Sequence, residues 1–581
     1  MSRQHSVATQ QNKTARQEPR QSSAIEDLLV KALRHHRAGR STDAERIYRQ
    51  ILGIDARHAD SLHLLGMIAY QEGRHTIAVE MIGKAIAINK TRVAYHSNLG
   101  TVLQAQGRLE EAAAGYRSAL ALSPQLAEAH YNLGNVLHSQ DKLEEAAACY
   151  ERALALRPGL VEGHYNLGNA LQSQDKLEEA VASYERALEL DPGKYEALHN
   201  LGNALQAQGK LGQAMSCYER ALAVQPAYAK AHYSIGCLHH ALGDLDEALV
   251  CYRAARTLEP DLAQAAFSES LAQLLQGDFA AGWPNFEWRW QTKEHNPRMR
   301  AYSQPLWAGE KLARGRLLVW GEQGVGDEIM FAGLIPDVIR TGTRCVLECD
   351  ARLKPLFARS FPGVEVISNK DPRDALADNH ELDIAAHLPS GSLPGLFRPT
   401  SAAFAATSSP YLIADAVARE GFRAHYSGAH RRRLVGLAWH TNNRKTGRVR
   451  SIELSLFAPL IARPGIRLVS LQYGDHEALE KQAAAAHAPL LIDRGVDQFQ
   501  DIDLFAAQIA AMDMVITIDN STAHLAGALG VPTCLLLPFV PDWRWLQTRD
   551  DSPWYPAMTL FRQPRRDDWQ SVVQKAAAFC G

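Results

Sequence analysis

No run of this chain approaches the ~20 consecutive apolar residues that a membrane-crossing helix needs, so insertion into a bilayer is not expected. An excess of one charge is also lacking. The 62 Lys and Arg against 64 Asp and Glu leave a formal net charge of −2, without the overall basic bias of a nucleic-acid or anionic-membrane binder. Cysteine is sparse, eight in 581 residues. No CxxC pair or repeated spacing occurs among them, which suits buried thiols in a reducing compartment rather than disulfides or zinc. Residues 1–24 are polar and contain no apolar core, so they are not a secretory signal. Basic and nearly acid-free, they fit a transit peptide or a disordered tail, and the tail is the expectation. These absences together point to a cytoplasmic protein. At 581 residues the chain has room for several domains of ~100–200 residues each.

What the chain does have is a period. Proline falls at 124, 158, 192, 226 and 260, and glycine at 66, 100, 134, 168, 202 and 236, so both step by 34. Two short amphipathic helices fit each period. In the block from Ala127, small Gly134 permits close approach of the paired helices, Ala146 and Ala153 pack between them, and Pro158 cannot continue the second helix. This length and small/large pattern resembles the tetratricopeptide (TPR) family. Gly39 and Gly73 take the inter-helix turn in earlier, more divergent repeats, giving about seven to eight repeats over 25–291. The last one keeps its turn at Gly277-Asp278 but carries Trp283, Phe286, Trp288 and Trp290. These are too apolar for a solvated cap and predict a joint to a second domain.

Beyond about Gln291 the rhythm stops. Strands are predicted at Arg316–Trp320, Cys345–Cys349 and Val364–Ile367, with a helical run from Glu328 to Thr341. Further strands are predicted at Leu434–Trp439, Arg467–Gln472, Met514–Ile518 and Thr533–Leu537. Strands alternating with helices imply parallel sheets covered on both faces. Two such series suggest twin Rossmann-like lobes, about 312–410 and 434–560 within 292–581, followed by a C-terminal helix at about 567–580. A ligand is expected in the cleft at the strand carboxyl ends.

Gly324-Val-Gly-Asp327 and Asp519-Asn-Ser-Thr-Ala-His524, with Arg450-Ser-Ile and Pro538-Phe-Val-Pro-Asp-Trp-Arg-Trp, resemble the heptosyltransferase-type glycosyltransferases of GT-B fold. The fold expected is therefore an N-terminal all-α TPR superhelix followed by an α/β GT-B module. The combination is similar to bacterial TPR–glycosyltransferase fusions, including those that glycosylate flagellin. The first lobe is shorter than in lipopolysaccharide heptosyltransferases, which puts a heptose/lipid substrate in doubt.

Asp519–His524 follows a strand and opens a helix, where free N–H groups and the helix dipole suit a phosphate. Asp519, Asn520, Ser521, Thr522 and His524 are candidates for that donor site, and Asp519 and Ser521 as mere helix caps are the plainer alternative. Gly324 and Gly326 permit a tight turn from which Asp327 enters the cleft. The resemblance implies that Asp327 is the general base, with Glu322 and Glu328 as alternatives. A capping aspartate at a strand–helix turn would look the same. In the family a basic residue of the 440–450 loop contacts the donor phosphates; Lys445 and Arg450 are the candidates. Gln472 is placed to meet the base or ribose. No metal constellation is evident: Asp501-Ile-Asp503 reads as helix capping, and His130, His164, His199 and His232 read as a shared structural site.

Asn98, Asn132, Asn166 and Asn200 stand 34 apart, and Asn135, Asn169 and Asn203 follow the last three at three residues. Such an amide ladder could hold a peptide backbone, as in the similar TPRs of protein O-GlcNAc transferases, or could only tie repeats together. The expected function is an inverting, metal-independent glycosyltransferase with no cofactor, carrying a hexosyl, other glycosyl or nonulosonic-acid group. It would move the sugar from a nucleotide-sugar to Ser/Thr hydroxyls of a protein in the TPR groove, flagellin foremost. Two alternatives stay open: a non-catalytic TPR adaptor with a ligand-binding module, and an enzyme acting on a carbohydrate or lipid.

Overall fold

The computed structural model describes residues 23–300, 302–368, 382–407, 410–428, 432–442 and 447–580. Most of the expected tail, and Lys445, lie outside them. Two compact units divide at Ala231/His232, well before the pattern changes at Gln291.

The described residues of the first unit form helices joined by short turns. A helix over 23–37 pairs with Ser41–Ile54, and pairs such as Ala127–Ser139 with Leu143–Leu156 follow at the same spacing. The turn inside each pair needs one residue in the left-handed region. Glycine supplies it at 39, 73, 107 and 209, and Asp141 and Asp175 adopt it at the two intervening positions. Between paired helices a glycine faces a tyrosine. A Cβ on Gly134 would meet Tyr150 at 2.7 Å, and one on Gly168 would meet Tyr184 at 2.5 Å. Tyr150 and Tyr184 are buried, as are Ala146 and Ala153 between the helices.

The second unit contains the last helices of the repeat pattern, including Leu245–Leu258, Ala263–Gln276 and the short Phe279–Phe286, and all ten strands found among the described residues. Strands β1 (Arg316–Trp320), β2 (Cys345–Cys349), β3 (Glu365–Ser368) and β4 (Ile384–Pro389) form a parallel sheet in the order β3-β2-β1-β4. Strands β5 (Arg433–Ala438), β6 (Ile466–Ser470), β7 (Leu490–Leu491), β8 (Met514–Ile518), β9 (Thr533–Leu537) and β10 (Met558–Arg562) form a second. Its order is β10-β9-β8-β5-β6-β7, again parallel throughout. Connectivity reverses direction at β1 in one sheet and between β5 and β8 in the other. Crevices open at such points beyond the strand carboxyl ends.

The aromatic cluster of the last repeat packs inside this unit. Trp283 donates its indole N–H to the carbonyl of Arg398 at 2.8 Å and lies edge-on to Trp543, and Trp290 sits against Trp320. The helical run expected from Glu328 to Thr341 is two helices, Val325–Ala332 and Ile335–Arg340. Pro336 has no N–H to give the carbonyl four residues back, so the first helix cannot run through it. The C-terminal helix runs Trp569–Phe579, capped by Asp568, which accepts from the Ser571 N–H.

Two glycine replacements separate packing from propensity. Alanine in a helix interior gains up to about 1 kcal/mol over glycine, and a Cβ on Gly83, in the middle of helix His75–Ile88, meets nothing within 4 Å. Gly83→Ala should therefore stabilise the first unit slightly. Gly168→Ala must push into Tyr184, an overpacking that costs about 1–3 kcal/mol and outweighs the propensity gain. Urea unfolding of both variants checks the opposite signs; equal shifts would contradict the packing at the glycine–tyrosine contacts.

Candidate functional site

A cavity of about 810 Å³ lies at the strand carboxyl ends of the second unit, lined from both sheets. Val325, Gly326 and Asp327 come from the turn after β1. Asp519, Asn520, Ser521 and His524 come from the turn after β8, and Arg450 and Arg544 from segments after β5 and β9.

Charged groups alternate along its wall. Arg544 donates to Asp327, in the turn after β1, and to Asp542 at 2.5 Å. Arg450 stands 3.5 Å from Asp542 and 2.9 Å from Asp519. Three carboxylates and two guanidinium groups thus form one chain. Burial would lower the Arg544 guanidinium, but Asp327 and Asp542 more than reverse this and raise it. Burial works to raise Asp542, and Arg544 and Arg450 prevail and hold it below the usual carboxylate range. In Asp519 burial wins over Arg450 and the pKa rises. Leu546 closes the Trp543–Trp545 turn at φ 55 and ψ 166, a conformation costly for a branched residue. Arg562 holds that turn by donating to the carbonyls of Trp545 and Leu546 at 2.6 and 3.0 Å.

His524 sits on the first turn of helix Ser521–Ala528, 5 % exposed, stacked on Trp545 with its Nδ1 2.8 Å from the Tyr555 hydroxyl. Burial, with Arg544 and Arg450 nearby, pushes its pKa down to about 3, so the ring is neutral at physiological pH. Asn520 caps this helix, accepting from the Ala523 N–H at 3.2 Å and the Thr517 hydroxyl at 3.0 Å.

Several expectations need correction. Gly324 has φ −86, open to any residue, and is outside the cavity lining. Gly326 is required by contact instead of by turn geometry: its Cβ would stand 2.9 Å from His524 Cδ2. Gln472 does not face the cavity. Its oxygen accepts from the Trp439 and His440 N–H groups and its amide donates to the His440 and Tyr473 carbonyls, which fills its capacity. Thr522 is fully buried and off the cavity wall. Asp327 does accept from the Gly324 N–H at 3.2 Å, as a cap would. Glu322 is locked to buried Arg289 and the Gly391 N–H. Glu328 is buried, accepts from the Asp350 N–H at 2.7 Å, and is pushed by burial up to about 7. Neither lines the cavity. Asp501 caps helix Ile502–Ala510, and Asp503 pairs with Arg359. Among the described residues no group of three His, Cys, Asp or Glu is arranged to hold a metal ion.

In the repeats, the amides join neighbours. Asn166 donates to the Tyr131 hydroxyl and to Asn135, and Asn200 to the Tyr165 hydroxyl and to Asn169. Asn135, Asn169 and Asn203 accept from Tyr150, Tyr184 and Tyr218 at 2.8–2.9 Å, and Asn98 meets His63. Asn132 is half-buried on the same face of its helix. These bonds tie adjacent repeats together, the plainer of the two expectations, and each engages one amide atom of the ladder. His130 and His164 each bond a proline carbonyl six residues back, at 3.0 Å, a shared structural role.

Arg544 and Asp542, like Arg352, Asn442, Tyr473 and Phe499, line the cavity without a role assigned from sequence, although the motif containing the first two stands out there. Arginine two residues after aspartate beyond a strand end was the available signal.

Sequence models of the TPR repeat match residues 100–141, 134–175 and 202–243, and tetratricopeptide-repeat models match 59–92, 161–194, 183–215 and 229–262. The chain carries TPR repeats. Protein FlbA of Caulobacter vibrioides is 30 % identical over 323 residues, 52 % of each chain. The chain therefore spans about half the length of this curated relative. YrrB, described as a TPR protein with an unusual peptide-binding site, is 29 % identical, with TM-score 0.30, covering 33 % of this chain and all of its own. Pseudomonas aeruginosa pilF is 23 % identical, with TM-score 0.32, covering 36 % of this chain and 94 % of its own. No described helix is long and apolar enough to cross a membrane.

Two measurements follow from the site's electrostatics. Removing Arg544 leaves Asp327 and Asp542 without their main partner, whereas removing Asp327 leaves Arg544 on Asp542. Arg544→Gln should cost about 3–5 kcal/mol, as breaking a buried pair does, and Asp327→Asn clearly less; thermal unfolding that ranks them the other way would contradict the network. His524 binds a proton more readily unfolded, near the ordinary histidine value of 6.5, than folded, near 3. Stability must then fall as pH drops through that window, by up to about 1.4 kcal/mol per unit. Denaturant titrations at pH 7 and 5 should show a shallower loss in His524→Gln, and the wild-type ring should keep neutral-imidazole NMR shifts at pH 5.

Proposed function

We propose that the second unit is a two-lobed glycosyltransferase of GT-B type that takes a nucleotide-sugar donor in the cavity, and that the repeats present a protein acceptor. The observation that carries this reading is the cavity itself. It is built at the switch points of two parallel sheets, with a helix N-terminus and three arginines, Arg352, Arg450 and Arg544, on its wall. Its size suits an organic ligand. The start of helix Ser521–Ala528, Ser521 and Arg450 offer N–H, hydroxyl and cationic partners to a diphosphate. Neutral His524 can donate or accept a hydrogen bond without adding charge.

In the reaction proposed, an acceptor hydroxyl attacks the anomeric carbon from the face opposite the leaving phosphate, so configuration inverts. The C–O bond to the acceptor forms as the bond to phosphate breaks, and the phosphate departs with the electron pair. Asp327 takes the hydroxyl proton during bond formation, since a carboxylate is too weak to ionise an alcohol beforehand. Stabilising the departing charge, through the helix start and Arg450, is the chief catalytic demand. The acceptor is proposed to be a protein with modified Ser/Thr hydroxyls. Flagellin is the first candidate, from the resemblance to TPR–glycosyltransferase fusions, and a cytoplasmic setting accompanies it.

One observation favours a second reading: Arg544 occupies an oxygen of Asp327, as it would in a non-catalytic ligand-binding module. A single experiment separates the two. The intact mass of flagellin and other candidate proteins is compared in cells carrying the wild-type gene, no gene, or Asp327→Asn. The enzyme reading expects a discrete mass increment with the wild-type gene alone. An increment that persists in the folded Asp327→Asn variant moves the base elsewhere, and no increment in any candidate favours the ligand-binding module.

A further inference from the structure

A second concavity of about 520 Å³ lies at the opposite end of the second sheet, beside the starts of β5 and β6 and the edge strand β7. Three arginines line it, Arg432, Arg463 and Arg467, and no acidic side chain does. Elsewhere in this unit the buried and half-buried arginines have carboxylate partners: Arg289 with Glu322, Arg300 with Glu348, Arg359 with Asp503, Arg398 with Asp337. No described carboxylate forms a salt bridge with any of the three. Three arginines on one concavity with no acidic side chain in its lining make a cationic surface that an anion can neutralise.

The rest of the lining narrows the ligand class. Leu460, Ile461, Ile466, Leu468, Leu490 and Leu491 give an apolar floor. Arg467 is held close to the chain end of helix Ala416–Ser427: a Cβ on Gly428, at φ 57, would stand 3.1 Å from its Nη1. Guanidinium groups present paired donors matched to phosphate oxygens. The volume falls within the range of small-ligand sites.

We propose that this pocket binds a small organic phosphate, its phosphoryl group on Arg432, Arg463 and Arg467 and its apolar body on the leucine and isoleucine floor. It is separate from the cavity at the strand carboxyl ends and does not depend on the function proposed for that cavity.

Calorimetric titration of the full chain with phenyl phosphate, and separately with inorganic phosphate, tests the assignment. Binding at this pocket should weaken about tenfold or more in Arg463→Gln/Arg467→Gln, the loss expected from removing charge-assisted hydrogen bonds. It should persist in Arg450→Gln, which alters only the other cavity. Phenyl phosphate should bind more tightly than inorganic phosphate if the apolar floor is used. Should the double variant fold poorly, the exposed Arg432→Gln provides the same comparison, with Arg432→Lys expected to restore part of the affinity. Two results overturn the proposal: affinity unchanged in the folded arginine variants, or phosphate binding that Arg450→Gln alone abolishes. Equal affinity for the two phosphates removes the apolar body and with it the ligand class.

Discussion

The second unit depends on one interaction, the contact of Arg544 with Asp327 and Asp542. It joins the turn after β1 in one sheet to the segment after β9 in the other, residues 217 apart in sequence. A guanidinium group suits this task because its planar fork can engage two carboxylates at once and it stays charged when desolvated. Arg450 repeats the device one step on, between Asp542 and Asp519. The cavity wall is therefore an alternating row of charges. A ligand phosphate entering it would find Arg450 and the helix start as partners, and Asp519 and Asp542 as competitors for the same cations.

The two sheets also meet by shape. Helix Val325–Ala332 approaches helix Ser521–Ala528 closely enough that Gly326 has no room for a side chain beside His524. His524 in turn is fixed from behind by Tyr555 and Trp545. The aromatic residues that end the repeat pattern continue this packing, since Trp283 touches both Trp543 and Trp554. The turn carrying Arg544 is therefore supported by side chains from the last repeat helix. This is why helices of repeat character belong to the compact unit of the α/β region.

The repeats were legible in the sequence because successive periods encode the same local contacts, a left-handed turn residue throughout and, from Gly100 to Gly236, a glycine facing a tyrosine. β1, β2, β3, β5, β6, β8 and β9 were legible within a residue or two from short apolar runs. β4, β7 and β10 were not. The alternation in Ile384–Pro389 is broken by Ala, His and Pro, β7 has two residues, and β10 carries Thr559 and Arg562 within a short edge strand. Asp327, Ser521 and His524, which line the cavity, stand in motifs visible in the sequence. A pairing with a partner far along the chain, such as Arg544 with Asp327, leaves no periodic trace.

Gln472 and the asparagine ladder show the same limit from the other side. Residue type and spacing indicate which side chains can hydrogen-bond, but not whether that capacity is already used. Gln472 spends its amide on four backbone groups of the loop after β5 and of Tyr473, so it shapes the cavity by fixing that loop. Asn166 and Asn200 spend theirs on the preceding repeat, so a one-dimensional array gains its nearest-neighbour coupling there. Recognition by the repeats would then fall to groups the seam leaves unused. The rings of Tyr131 and Tyr165 stand beside each seam and are only half-buried. Stacking and apolar contact with a partner chain need no amide, so such rings can serve recognition while the asparagines hold the repeats in register.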